Sequence, residues 1–111
     1  MPNTTPLTEG LIISKQIIAM KNDNFRESLS GGRVVLTPGV FTSKNKNKVL
    51  DAVRTFNSFT PDNDPYGERD FGKVVVDGEG YFFKIDYYDD QYQYFEEDGN
   101  RVMTIMRAEE Y

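Results

Sequence analysis

The chain has 111 residues, no cysteine, no histidine and a formal net charge of −5. That length makes one domain able to bury a core without crosslinks, and the two absences remove disulfides, thiolate and Ser-His nucleophiles, zinc-thiolate sites and the commonest transition-metal ligand. Charge is unevenly spread, with 8 Lys+Arg against 4 Asp+Glu in residues 1–60 and 5 against 14 in residues 61–111, so the C-terminal half repels nucleic-acid phosphate and anionic membranes and attracts a basic partner.

Residues 1–7 are polar, carry Pro2 and Pro6, and read as a loose tail ahead of a single α+β domain over 8–111. No basic segment precedes an apolar run there, so no leader is expected and the chain reads as cytoplasmic. The clusters Leu11–Ile13 and Ile17–Ile18 are interrupted by Ser14, Lys15 and Gln16, which is too broken for a membrane span. Thr8 is placed to cap a helix starting near Glu9. On a helical wheel Leu11, Ile18, Phe25 and Leu29 fall together, with Ile13, Ile17 and Met20 alongside, and that broad arc suits a sheet face. The helix is expected to weaken at Asn22–Asn24 and to stop by Ser30-Gly31-Gly32.

Arg33 to Thr37 reads as a short, largely buried strand closed by a Pro38-Gly39 turn. Thr42 or Ser43 then caps a second helix from Lys44 to about Asn57, with Val49, Leu50, Val53 and Phe56 on its apolar face. A loop from Thr60 to Asp70 leads to a strand over Phe71–Val76, an Asp77-Gly78 turn and a return strand from Tyr81 to Asp86 or Tyr88. Tyr92–Phe95 and Arg101–Met106 are expected to form a second hairpin. The order α-β-α-β-β-β-β predicts two helices packed on one face of an antiparallel sheet of four to five strands. Tyr81, Phe83, Ile85 and Tyr87 belong under the helices; Phe82, Lys84, Asp86 and Tyr88 point the other way.

Four blocks resemble the small bacterial domain-of-unknown-function family 3768. They are Gly31-Gly32-Arg33-Val34-Val35-Leu36-Thr37-Pro38-Gly39-Val40, the stretch Phe59 to Gly72 (F-T-P-D-N-D-P-Y-G-E-R-D-F-G), Phe83-Lys84-Ile85-Asp86-Tyr87-Tyr88-Asp89, and Thr104 to Tyr111 (T-I-M-R-A-E-E-Y). The likeness runs from about Ile17 to Tyr111. It implies a small single-domain bacterial protein, of a kind often carried on mobile elements, and it implies no activity. In the family the acidic loop reads D-P-H-G-E-H-D-F-G, whereas Tyr66 and Arg69 occupy the two histidine positions here.

Without histidine or cysteine, a metal site would be built from oxygen alone, for magnesium, calcium or manganese. Asp62, Asp64, Glu68 and Asp70 are the candidates, and they define the alternative reading: a small enzyme or divalent-cation-binding protein using loop 60–70. The loop misses the calcium pattern, with Tyr66 at its fifth position and Lys73 at its twelfth. Asp and Asn beside Pro65 and Gly67 also shape turns without any ligand. No phosphate loop is present, because Gly31-Gly32 lacks a following Lys-Ser/Thr and precedes a strand, so no cofactor is expected. Gly78 to Phe83 is faintly similar to an aromatic RNA-binding strand, but the surrounding negative charge opposes direct nucleic-acid contact.

Five of the seven tyrosines lie between Tyr81 and Tyr94, interleaved with acids. Tyrosine on a strand offers rigid contact area at low entropy cost, and it also fills small cores. The expected function is a non-enzymatic protein-binding module with an acidic, tyrosine-rich face made by Asp86, Tyr88, Asp89, Asp90, Tyr92, Tyr94, Glu96 and Glu97. Its expected partner is a basic protein surface, such as that of a nucleic-acid-binding protein; an anti-defence inhibitor of a CRISPR or restriction system is the concrete form.

Overall fold

A computed structural model describes residues 7–111, with side chains from Ser14 onward. The element order is α1 (Leu7–Ser28), β1 (Arg33–Leu36), α2 (Pro38–Phe41), α3 (Lys46–Thr55), β2 (Phe71–Val76), β3 (Glu79–Tyr88), β4 (Asn100–Arg107) and a closing 3-10 turn, Ala108–Glu110. The expected tail falls on residues outside those described, apart from Leu7, which opens α1. Thr8 therefore lies inside that helix, a shift of two residues from the expected start, within the usual spread of helix ends.

The α+β class holds, and four strands form one sheet in the order β1-β4-β3-β2. The sheet is mixed where a purely antiparallel one was expected, because β1 pairs with β4 in parallel, Arg33 opposite Val102 through Leu36 opposite Ile105. The reason is the connection. From β1 the chain crosses the helix face through α2 and α3 and enters β2 in the same direction, as a helical crossover does. β2, β3 and β4 then follow as an antiparallel meander, which leaves β4 running alongside β1.

The turn at Asp77-Gly78 forms as its sequence predicts, with φ of 51° and 80°, the left-handed pair that a tight hairpin needs. The second hairpin does not form. β3 is long enough to pair with all of β4, from Tyr81 opposite Arg107 to Tyr88 opposite Asn100. Tyr92–Phe95 is left in the connecting loop with a single bridge between Phe95 and Tyr88. Where a Pro38-Gly39 turn was expected there is the one-turn α2, with Pro38 in its first turn, where a missing N–H costs nothing. α3 starts at Lys46, two residues late, after the Ser43 hydroxyl accepts the Asn45 N–H at 3.0 Å.

On β3, Tyr81, Phe83, Ile85 and Tyr87 are buried and their alternates are half-buried. Val49 and Val53 of α3 are fully buried against them, with Leu50 and Phe56 at the margin. Phe56 packs edge-on against Phe59 at 4.8 Å and Phe83 at 5.4 Å. Gly72 lies directly beneath this cluster: a Cβ there would sit 2.5 Å from the Phe83 ring and 2.8 Å from that of Phe56.

α1 turns a narrower and more polar face inward than its apolar residues suggest. Ile18, Ala19, Asn22, Phe25 and Arg26 are buried, whereas Ile17 and Met20 are 43% and 58% exposed. The side chains of Leu11 and Ile13 lie outside those described. The helix runs through Asn22–Asn24 unbroken and ends with Leu29 at φ 57°, its N–H bonded to the Phe25 carbonyl at 2.7 Å. On the opposite, helix-free face, Phe71 stacks on Phe82 at 5.3 Å and Tyr111 leans over both. Glu110 anchors this C-terminus by accepting the Thr37 hydroxyl at 2.7 Å and the Gly39 N–H at 3.1 Å.

Candidate functional site

Asn22, fully buried on α1, organises the end of the sheet where β3 stops and β4 starts. Its amide donates to the Tyr87 hydroxyl at 2.7 Å and to the Glu68 carbonyl at 2.8 Å, and its oxygen accepts Nε of Arg101 at 2.6 Å. Arg101 continues to Asp98 at 2.6 Å, and Lys21 reaches the other oxygen of Asp98 at 2.7 Å. The polar residues of α1, β3 and β4 thus tie both ends of the 89–99 loop to the core. Lys21 and Arg101 hold the Asp98 carboxyl below its ordinary range.

The Tyr87 hydroxyl also meets two carboxylates, Asp70 at 3.2 Å and Glu68 at 3.3 Å. It has one proton to donate and two acceptors for it. Burial raises the carboxyl pKa of both acids, and Asp70 raises that of Glu68 further. Burial likewise pushes the Tyr87 phenol well above its ordinary range. Desolvation and like charge both favour the protonated form of crowded, half-buried carboxyls.

The four acids considered for a cation therefore divide. Glu68 and Asp70 converge on Tyr87. Asp64 accepts the Arg69 N–H at 3.2 Å, which shapes the loop, and Asp62 lies exposed on the turn. Among the described residues no group of three carboxylates is arranged to hold a metal ion.

The eight residues considered for partner binding lie around the end of β3. Tyr88, Asp90, Glu96 and Glu97 line one hollow of about 410 Å³. Tyr88 also lines the adjoining hollow of about 380 Å³, together with Asp86, Glu68, Asp70 and Phe95. Three of the acids among the eight are engaged locally, Asp90 by accepting the Asn100 side-chain amide at 3.4 Å. The Asp89 carboxylate accepts the N–H groups of Gln91 and Gln93 at 3.1 Å each, fixing the turn, and Asp86 pairs with Lys84 at 3.3 Å on the helix-free face. Tyr92 lies under the Arg33 guanidinium, 3.7 Å from its ring centre, and beside Tyr88.

Tyr94 is 72% exposed and its neighbour Phe95 73%, with the Phe95 ring set edge-on to that of Tyr87 at 6.4 Å. Phe95 was not among the expected site residues, because alternation on a strand would have turned it inward; in the loop, its single bridge to Tyr88 leaves most of the ring exposed. Asn22, Asp98 and Arg101 were missed too. Their one signal was an Asn inside an otherwise continuous helical pattern.

Fold and site together define a small α+β domain whose helices back one face of a mixed sheet and whose acids and aromatics gather in a loop at one sheet end. The chain belongs to the family described as protein of unknown function DUF3768, whose model matches residues 36–110. The match takes in everything from the last residue of β1 to the closing turn and leaves out α1. Comparison with curated proteins and with solved structures finds no match. Among the described residues, no helix is long and apolar enough to cross a membrane.

Proposed function

We propose that this protein is a non-catalytic binding module that docks the acidic, aromatic loop between β3 and β4 onto a basic protein surface in the cytoplasm. One observation carries the reading. Tyr94 and Phe95 are adjacent, both more than two-thirds exposed, and followed by exposed Glu96 and Glu97 on a loop whose path Asp89 fixes. Aromatic anchors on a preformed loop, rimmed by charge, have the anatomy of a binding hot spot.

The sign of the charge supports the partner's chemistry. Residues 86–98 contain six Asp or Glu and no Lys or Arg. Carboxylates held along a rigid loop offer a nucleic-acid-binding protein the charge its channel is built to receive. The concrete form of the proposal is an anti-defence inhibitor that occupies the nucleic-acid channel of a CRISPR or restriction effector. Long-range attraction speeds such an encounter, and salt weakens it.

The test is capture from host lysate at about 50 mM and about 300 mM NaCl, salt conditions that bracket the physiological screening length. The bait is the wild-type chain beside a Tyr94→Ala, Phe95→Ala, Glu96→Gln, Glu97→Gln variant. The expected result is a basic protein retained by wild type at low salt, released at high salt and not retained by the variant. Purified, that protein should give up its bound nucleic acid as the wild-type chain is added. Retention indifferent to all four substitutions overturns the proposal.

A further inference from the structure

A second notable surface is built on residues 59–69, and the charge at its rim is opposite in sign to that of residues 86–98. A cleft of about 450 Å³ opens between Lys15 and Gln16 of α1 and residues 59–69, walled by Phe59, Pro61, Pro65 and Tyr66 and edged by Lys15 and Arg69. We propose that this cleft is a binding site for a small aromatic anion, one ring system bearing a carboxylate or a comparable acidic group.

Three observations carry it. The first is size and lining: the volume falls in the range of small-ligand pockets, and two rings and two prolines make flat apolar walls with few polar groups among them. The second is that the walls are preformed. Thr60 and Asn63 exchange hydrogen bonds at 2.8 and 3.3 Å, the Asp64 N–H reaches the Thr60 carbonyl at 2.8 Å, and the Gly67 N–H reaches the Asp64 carbonyl at 3.1 Å.

The third is charge. In a chain of net charge −5, the rim holds two cations against one carboxylate, Asp64, and that carboxylate is turned to the Arg69 N–H. Lys15 lies over the Tyr66 ring at 5.5 Å and Arg69 over the Phe59 ring at 5.1 Å, so each cation sits level with an aromatic wall. Lys15 has no ion-pair partner among the described residues. Arg69 spends one nitrogen on Asp23 at 2.7 Å, and Asp23 is shared with Arg26 at 3.0 Å, so one carboxylate serves two guanidinium groups. Glu68, the next acid, accepts the Tyr87 hydroxyl at 3.3 Å and feels the Lys15 charge only from beyond ion-pair distance. A ring lying against Tyr66 brings an acidic substituent to both cationic heads, and a charge-assisted contact of this kind favours an anion over its neutral isostere.

The experiment is a titration of the isotope-labelled full chain with 1-naphthoate, followed by backbone amide shifts, with neutral 1-naphthamide as the control. Lys15→Gln and Tyr66→Ala are the variants. Lys15 is exposed and Tyr66 is 71% exposed, so both variants should fold, and the same spectra report whether they do. The expected result is saturable shifts confined to residues 15–16 and 59–69. Binding should be weaker by about tenfold for the amide and for either variant, on the order of one charge-assisted contact. Equal binding of the amide, shifts centred on Phe71 and Phe82 of the open face, or titrations unchanged by both substitutions would each overturn the assignment. None of these residues belongs to the 86–97 surface, so the outcome is independent of the docking proposal.

Discussion

Asn22 occupies a position where a helix designed only for packing would carry leucine. Its amide satisfies Tyr87, the Glu68 carbonyl and Arg101 together, and removing it takes one buried hydrogen bond from each of the three. Asn22→Ala is expected to cost about 2–3 kcal/mol of unfolding free energy in urea titrations, the scale of buried polar groups left unpaired. A cost indistinguishable from zero would mean that water replaces the amide. Glu68 gives a pH signature. Its carboxyl pKa is raised from the ordinary 4.5 by burial and by Asp70. The folded chain therefore keeps that proton after the unfolded chain has released it, and the contribution to stability falls as pH rises from the unfolded pKa to the folded one. Glu68→Gln removes this dependence. Relative to wild type, the variant should gain stability as pH rises above the ordinary carboxyl value of 4.5, and the difference between the two curves cancels the groups that do not interact with Glu68. Parallel curves would refute the assignment.

At the scale of elements, what was legible in the sequence was local. The alternation on β3 gave its buried face, Asp77-Gly78 gave its turn, and the spacing of Val49, Val53 and Phe56 gave the face of α3. The parallel pairing of β1 was not legible, because it depends on where the α2–α3 crossover delivers the chain and no property of Arg33–Leu36 encodes that. Tyr92–Phe95 has the composition of a strand, yet β4 already occupies the edge of β3 that it would need. Tertiary competition overrides propensity in such cases. Gly72 shows the same limit from the other side: composition marks it as a weak strand residue, whereas its environment requires it. The rings of Phe83 and Phe56 occupy the space of a Cβ. Gly72→Ala is therefore expected to destabilise by about 2 kcal/mol, typical of overpacking a tight core. Gly78→Ala, by contrast, meets no neighbour and costs only what its φ of 80° imposes. Denaturant midpoints of the two variants measured side by side distinguish packing strain from backbone strain, and a Gly72→Ala chain as stable as wild type would place the cluster elsewhere.

At the scale of the whole molecule, the uneven charge that was visible in the sequence becomes a spatial feature, because the meander returns residues 86–98 to one end of the sheet. What composition could not tell is which acids are engaged. Asp98 is neutralised by Lys21 and Arg101 and Asp89 is spent on its own turn, while Glu96 and Glu97 remain on the exposed loop. Like charges kept together cost stability through self-repulsion, and that cost is screened by salt. Thermal midpoints of the wild-type chain should therefore rise between about 0.02 and 0.3 M NaCl, by roughly 2–4 °C, the equivalent of about half a kcal/mol in a domain of this size. In a Glu96→Gln, Glu97→Gln variant the rise should shrink, and the variant should be the more stable chain at low salt. If the same two substitutions also weaken the captured partner mainly through a slower association rate, then the repulsion is retained for encounter rather than tolerated by chance. A variant that gains stability at low salt and associates at the wild-type rate would separate the acidic rim from binding, leaving Tyr94 and Phe95 as the only carriers of the interface.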